Sequence, residues 1–92
     1  MVRWLLRSVI DLENVFEYIS INNSEAARSE INRILDTVGL LDRNPSMGRP
    51  GRVPGTRELV IADTPYIIVY RAKRRSKEIL RVLHGAQKWT DI

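Results

Sequence analysis

His84 is the side chain best suited to proton transfer, because an imidazole has an ordinary pKa near neutral pH and the sequence holds one histidine. It ends the apolar run Ile79 to His84 and precedes Gly85. A histidine in this position can act as a general acid or base. It can equally be a packed or hydrogen-bonded structural residue, so both interpretations stay open.

A set of basic residues in the second half offers a different chemistry. Residues 47–92 hold ten Lys or Arg against four acids, whereas residues 1–46 hold five Arg against seven acids, within a formal net charge of +4. A sheet would gather several of these cations on one face, which would attract phosphate. Alternatively, these cations form a solvated rim that keeps the strand edges from aggregating. The set consists of Arg49, Arg52, Arg57, Arg71, Lys73, Arg74, Arg75, Lys77, Arg81 and Lys88.

Many other chemistries are excluded by the composition. The absence of cysteine removes thiol nucleophiles and cysteine zinc sites, and a single histidine removes metal motifs that need two. The glycines of residues 48–55 do not form a P-loop pattern, and no serine lies in a nucleophile elbow. We therefore expect either metal-free chemistry on a phosphate backbone or binding without chemistry, with no cofactor.

The first half predicts two helices that form an antiparallel hairpin. From about Leu6 to Ile21, apolar residues recur at helical spacing, with Asn22-Asn23 as the turn and Ser24 as the expected N-cap of the next helix. The second helix is expected to run to about Asp42 or Arg43. The expected buried stripes are Val9, Leu12, Phe16 and Ile19 in the first helix, and Ala27, Ile31, Ile34, Val38 and Leu41 in the second.

The second half predicts a β-meander. Residues 47–55 hold three Gly and two Pro and are expected to lack regular structure. Strands are expected at Glu58 to Ile61, Tyr66 to Arg71 and Ile79 to His84, with a further strand at Val2 to Leu5. The fold class is therefore α+β, an N-terminal strand and helical hairpin packed on a curved antiparallel sheet of three to four strands.

The chain of 92 residues is expected to form a single domain, residues 1–92. No apolar run approaches the ~20 residues that span a bilayer, and the first residues lack the apolar core of a signal peptide. We therefore expect a cytoplasmic protein without a membrane partner. Among the aromatic residues, Tyr66 and Tyr70 favour core packing over base stacking, and Trp89 either anchors the C-terminal segment or stacks on a ligand.

Several short motifs follow one another in a characteristic order: Trp4, Asp11-Leu12, Tyr18-Ile19, Asn44-Pro45, Gly48-Arg49, Gly55-Thr56-Arg57-Glu58-Leu59, Pro65-Tyr66-Ile67-Ile68-Val69-Tyr70 and Leu83-His84-Gly85-Ala86-Gln87-Lys88-Trp89. Their order and spacing resemble the RelE/ParE toxin superfamily over essentially the whole chain. The resemblance implies the toxin of a type II toxin–antitoxin pair, which arrests growth and is held inactive in a hetero-oligomer with a small cognate antitoxin.

The superfamily contains two activities. RelE-like toxins enter the ribosome and cut messenger RNA without metal, whereas the target of ParE-like toxins is DNA gyrase. The RelE pattern carries a Lys-x-Lys pair where this chain has Glu58-Leu59-Val60, and an arginine after the tyrosine where this chain has Ile67. These departures favour the ParE-like activity, with the ribonuclease as the alternative and a degenerate toxin that acts only as a binding module as a second one.

The candidate site residues follow from these hypotheses. For target binding we select Arg49, Arg52, Arg57 and Trp89. If the chain is a ribonuclease, His84, Arg81 and Arg57 are the candidates for catalysis.

Overall fold

The computed structural model describes residues 1–85 of the chain, and it confirms the α+β class. The elements, in chain order, are β1 (Val2–Trp4), α1 (Leu6–Ser20), α2 (Ser24–Gly39), a 3₁₀ turn (Leu40–Asp42), β2 (Arg49–Pro50), β3 (Arg57–Val60), β4 (Tyr66–Ala72) and β5 (Lys77–His84). Within residues 1–85, no helix is long and apolar enough to cross a membrane.

The sheet has five strands in the order β1-β5-β4-β3-β2. Strands β3, β4 and β5 form the expected antiparallel meander. Two expectations were wrong. β1 pairs parallel with β5, so the sheet is mixed, and the Gly- and Pro-rich loop contributes the two-residue strand β2. The outer position of β2 explains how it tolerates Pro50, because an edge strand can lack an N–H on its open side.

The helical hairpin packs on the sheet face that carries Tyr66, Ile68 and Tyr70. The stripe expected for α2 is confirmed, with Ile31 half-buried and the other four residues buried. The stripe expected for α1 was partly wrong, because Val9 and Phe16 are partly exposed. α1 is turned so that a different helical series faces inward: Ser8, Leu12, Val15 and Ile19.

The N-cap of α2 is Asn23, one residue before the expected Ser24. The Asn23 backbone is extended, and its side-chain oxygen accepts hydrogen bonds from the amides of Glu25 and Ala26, both at 3.0 Å. Ser24 is the first helical residue. An asparagine oxygen satisfies two amide groups that have no partner within the helix.

Replacing Asn23 tests this assignment directly. We expect Asn23→Ala to lower the free energy of unfolding by about 1 kcal/mol, because two N-terminal amides lose their acceptor. Ser24→Ala is the matched control and is expected to change stability by less than about 0.5 kcal/mol. Urea unfolding of both variants measures the difference. The assignment is wrong if Ser24→Ala proves the more costly change.

Candidate target-binding site

The loop between the helical hairpin and β3 is fastened to the sheet by Tyr70. This side chain is fully buried in the centre of β4. Its hydroxyl accepts a hydrogen bond from the amide of Gly48 at 2.9 Å and donates one to the carbonyl of Pro45 at 2.8 Å. The Gly48 amide would otherwise be buried without a partner, so the hydroxyl fixes the position of the loop just before the basic residues Arg49 and Arg52.

Arg57 of β3 binds the same loop. Its Nη1 donates to the carbonyl of Gly48 at 2.7 Å, and its backbone pairs with Pro50 on one side and Tyr70 on the other. Arg57 as a whole residue is half-buried. Arg57 therefore supports the loop that carries Arg49 and Arg52, in addition to any contact it makes with a target.

Glu58 organises the two remaining arginines of this region. Its side chain is only 2% exposed, and Oε2 accepts a hydrogen bond from the backbone amide of Arg52 at 3.0 Å. The guanidinium groups of Arg49 and Arg52 lie 3.4 and 3.7 Å from its carboxylate oxygens, yet these side chains remain 59% and 45% exposed. We call Arg49, Arg52 and Glu58 the Glu58 cluster. It presents two partly exposed cations on a buried anion.

A second cluster of the same kind lies on β4 and β5. Arg71 donates to Oε1 of Glu78 from Nε at 3.0 Å and from Nη2 at 2.8 Å, and Nζ of Lys73 lies 3.4 Å from the same oxygen. We call Arg71, Lys73 and Glu78 the Glu78 cluster. The hydrogen bonds from Arg71 are the main reason that the pKa of the Glu78 carboxyl lies below its ordinary value.

This lowered pKa gives a pH dependence of known sign. A carboxyl group with a lower pKa in the folded state stabilises the protein above its unfolded-state pKa, and that stabilisation is lost as the pH falls through the folded-state pKa. We therefore expect Glu78→Gln to reduce the acid-side decrease in Tm relative to the wild type, with its largest destabilising effect near neutral pH. Thermal unfolding between about pH 7 and pH 3 measures this. A constant difference between the two proteins over that range would contradict it.

Arg81, a candidate for catalysis, forms a mostly buried ion pair with Asp11 of α1. Nε and Nη2 lie 2.7 and 3.3 Å from the two carboxylate oxygens, and the side chains are 16% and 11% exposed. Asp11 also accepts a hydrogen bond from the amide of Val82 at 3.0 Å. The pair thus joins α1 to β5 beyond the end of β1. This geometry gives Arg81 a structural task, and its catalytic role stays a prediction.

His84 lies on the wall of a cavity of about 380 Å³. Its exposed ring meets Tyr66 edge to face, with the ring centroids 6.1 Å apart. Burial, followed by the nearby Glu30 carboxylate and Tyr18, raises the pKa of the Tyr66 hydroxyl, which therefore remains protonated at neutral pH. The cavity is lined by Asp11, Asn14, Val15, Tyr18, Pro65, Tyr66, Val82 and His84.

The three ribonuclease candidates do not converge. Arg57 lies opposite Tyr70, whereas His84 lies opposite Tyr66 on the other side of β4. Two strand spacings and four residues along a strand separate their backbones by about 16 Å. With Arg57 bound to Gly48 and Arg81 bound to Asp11, the structure does not bring the three together on one phosphate.

The target-binding candidates are closer together. Arg49 and Arg52 share the Glu58 cluster, and Arg57 holds the same loop from the opposite face of the sheet. Trp89 lies outside the described residues. Within residues 1–85, no group of three or more His, Cys, Asp or Glu side chains is arranged to hold a metal ion.

Comparison with known proteins gives a consistent family. The family described as the ParE toxin of type II toxin–antitoxin system, parDE, matches residues 2–89. The chain belongs to the ParE toxin family. It is 44% identical over 91 residues to a Sinorhizobium fredii protein named "Putative toxin Y4kP", and the alignment covers 99% of this chain and 94% of that protein.

Comparison of the fold with solved structures supports the same family. A solved structure of the chromosomal ParDE TA system from P. aeruginosa aligns with a TM-score of 0.81 at 28% identity. The alignment covers 90% of this chain and 92% of that one. The resemblance inferred from the motif order is therefore confirmed, and the chain is a ParE-type toxin of a type II toxin–antitoxin system.

Proposed function

We propose that this ParE-family toxin is a single domain that arrests growth by inhibiting DNA gyrase in the cytoplasm, without cutting RNA. One observation carries the choice of mechanism. The position of the basic pair of the ribonucleases holds Glu58, whose buried carboxylate is bound to the loop amide of Arg52. A buried carboxylate there cannot supply the positive charge that a cleaved phosphate needs in the transition state, and in this chain it positions two arginines.

The target contacts are proposed to come from Arg49, Arg52 and Arg57, together with Trp89. The exposed parts of Arg49 and Arg52 project from an anchored loop, so they lose little conformational freedom when they bind. Arg57 holds the loop in place through Gly48. A surface built in this way favours binding over group transfer, since each guanidinium is already fixed by an acceptor.

A small cognate antitoxin is proposed as the partner that holds the toxin inactive in a hetero-oligomer. The outer side of the helical hairpin leaves apolar side chains partly exposed, including Val9, Phe16 and Leu35. A depression of about 290 Å³ runs between the helices and is lined by Leu12, Glu13, Phe16, Glu17 and Ile31. Such a groove suits the apolar side of an amphipathic helix.

The experiment that tests the target contacts separates toxicity from antitoxin binding. We expect Arg49→Gln/Arg52→Gln to restore growth of cells that express the toxin while antitoxin copurification stays unchanged, because both arginines contact Glu58 of the sheet and neither lines the groove of the helical hairpin. Arg28→Gln/Arg43→Gln removes the same charge from exposed positions elsewhere and should remain toxic. Unchanged toxicity of the first pair, with normal folding, would contradict the proposed contacts.

The two alternative functions have their own outcomes in the same cells. Rapid cleavage of transcripts on ribosomes, relieved by His84→Ala without a loss of stability, would favour the ribonuclease. No growth effect from folded, abundant wild-type protein would favour a binding module. Either result would contradict gyrase inhibition by this chain.

A further inference from the structure

The Glu58 and Glu78 clusters lie on one face of the sheet, opposite the helical hairpin. Glu58 is paired with Val69, and residues two apart on a strand share a face, so Arg71 is on the same face as Val69. Arg71 is paired with Glu78, which in turn is paired with Arg3 of β1. The two clusters and Arg3 therefore form one surface, which we call the arginine face.

The arginine face keeps a positive charge although it contains two carboxylates. Its five cations, Arg3, Arg49, Arg52, Arg71 and Lys73, exceed its two anions by three charges. The side chains of Arg71 and Lys73 are 40% and 54% exposed, so these cations remain accessible to a ligand. The carboxylates hold the guanidinium groups in place before any ligand binds. The arginine face is therefore suited to a rigid ligand whose negative charges repeat at regular spacing.

The spacing of the clusters suits the backbone of a duplex. Glu58 and Glu78 are separated by two strand spacings and two residues along a strand, which places their backbones about 12 Å apart. The major groove of B-DNA is roughly 12 Å wide, so side chains from the two clusters can reach phosphates on either side of it. The exposed Arg74 and Arg75 at the β4–β5 turn extend the positive surface beyond the Glu78 cluster.

Among the residues that the structure describes, the arginine face carries none of the aromatic side chains that bind single strands. Proteins that hold single-stranded nucleic acid stack bases on aromatic side chains. Within residues 1–85, the aromatic side chains lie elsewhere: Trp4, Tyr66 and Tyr70 pack on the helix-covered side, and Phe16 and Tyr18 belong to α1. Phosphate contacts without base contacts give binding that is independent of sequence.

We propose that the arginine face binds the phosphate backbone of duplex DNA directly and without sequence preference. This goes beyond gyrase inhibition, since it makes DNA itself a ligand of the toxin. DNA binding is measured on the purified chain without gyrase. A failure of DNA binding would therefore leave gyrase inhibition standing, and a failure of gyrase inhibition would leave DNA binding standing.

Fluorescence anisotropy tests the proposal. A labelled duplex of about 20 base pairs is titrated with the purified chain at several salt concentrations. We expect Arg49→Gln/Arg71→Gln to bind at least about tenfold more weakly and to lower the slope of log affinity against log salt by about 2, because two phosphate contacts are lost. Arg28→Gln/Arg43→Gln removes equal charge outside the arginine face and should bind like the wild type.

A second variant covers the case in which the glutamine pair fails to fold. Arg49→Lys/Arg71→Lys keeps the charge and the salt slope, and we expect it to weaken binding because an ammonium cannot make paired guanidinium contacts. Three results would overturn the proposal: equal losses in the arginine-face and control pairs, equal affinity for a single strand of the same length, or equal affinity for polyglutamate. The last would point to an acidic protein surface.

Discussion

Arg81→Ala is expected to lower the free energy of unfolding by about 3–5 kcal/mol, because it breaks a mostly buried ion pair by removing one partner. The change leaves the carboxylate of Asp11 largely buried and without the guanidinium that binds both of its oxygens at 2.7 and 3.3 Å. It also weakens the connection between α1 and β5. For a domain of this size, Tm should fall by roughly 12 °C or more.

Arg33→Ala is the matched control for this prediction. Arg33 forms an exposed ion pair with Asp63 at 3.5 Å, and the loss of such a pair costs less than about 1 kcal/mol. Thermal and urea unfolding of both variants measures the contrast. Similar losses of stability in the two proteins would show that the Arg81–Asp11 pair does not join the helix to the sheet.

The expected instability changes how a catalytic test of Arg81 is interpreted. A loss of toxicity in Arg81→Ala follows from unfolding as readily as from lost chemistry. His84→Ala is the cleaner probe of catalysis, because the His84 side chain is exposed at the end of β5. A ribonuclease role for Arg81 needs lost cleavage at a temperature where the variant remains folded.

Gly48→Ala is expected to destabilise the protein by about 1–3 kcal/mol and to abolish toxicity at temperatures where the variant is still folded. A Cβ atom at this position would lie 2.8 Å from Cε1 of Tyr70 and 2.9 Å from the carbonyl oxygen of Glu58. The loop must therefore move away from the sheet, which breaks the bond to the Tyr70 hydroxyl and displaces the arginines of the Glu58 cluster.

Gly39→Ala is the matched control, and it is expected to raise stability where Gly48→Ala lowers it. Its Cβ would meet nothing within 4 Å, and the residue has a helical φ of −58°. Since alanine restricts the unfolded chain and favours the helix, we expect stability to rise by about 0.4–1 kcal/mol with toxicity unchanged. The anchoring role of the loop would be contradicted if both alanine variants kept full toxicity and wild-type stability.

Local patterns predicted most of the fold. The spacing from Ala27 to Leu41 identifies the buried side of α2, and the apolar runs identify β3, β4 and β5 to within two residues. The inward side of α1 was harder to predict, because apolar residues lie around much of that helix and only its packing against α2 and β5 selects Leu12, Val15 and Ile19. β2 depends on pairing with β3, which a two-residue segment does not reveal.

The candidate site was less predictable, because its contacts join distant parts of the chain. Arg49 and Arg52 stood out through charge, but nothing in their sequence neighbourhood identifies Tyr70 as the anchor, 22 residues after Gly48. Asp11 and Arg81 are 70 residues apart. The one signal in the sequence was Glu58, an acidic residue at a position where the resembling ribonucleases carry a basic residue. Its role in positioning arginines became clear only from its burial.

A supercoiling assay tests the central claim most directly. Purified wild-type toxin is added to DNA gyrase and relaxed plasmid, with Arg49→Gln/Arg52→Gln as the comparison and a ribosome cleavage assay on the same preparations. We predict that the wild type inhibits supercoiling or traps cleaved DNA, that the variant does neither, and that neither protein cuts messenger RNA. Intact supercoiling at saturating toxin, together with rapid transcript cleavage on ribosomes, would contradict the account.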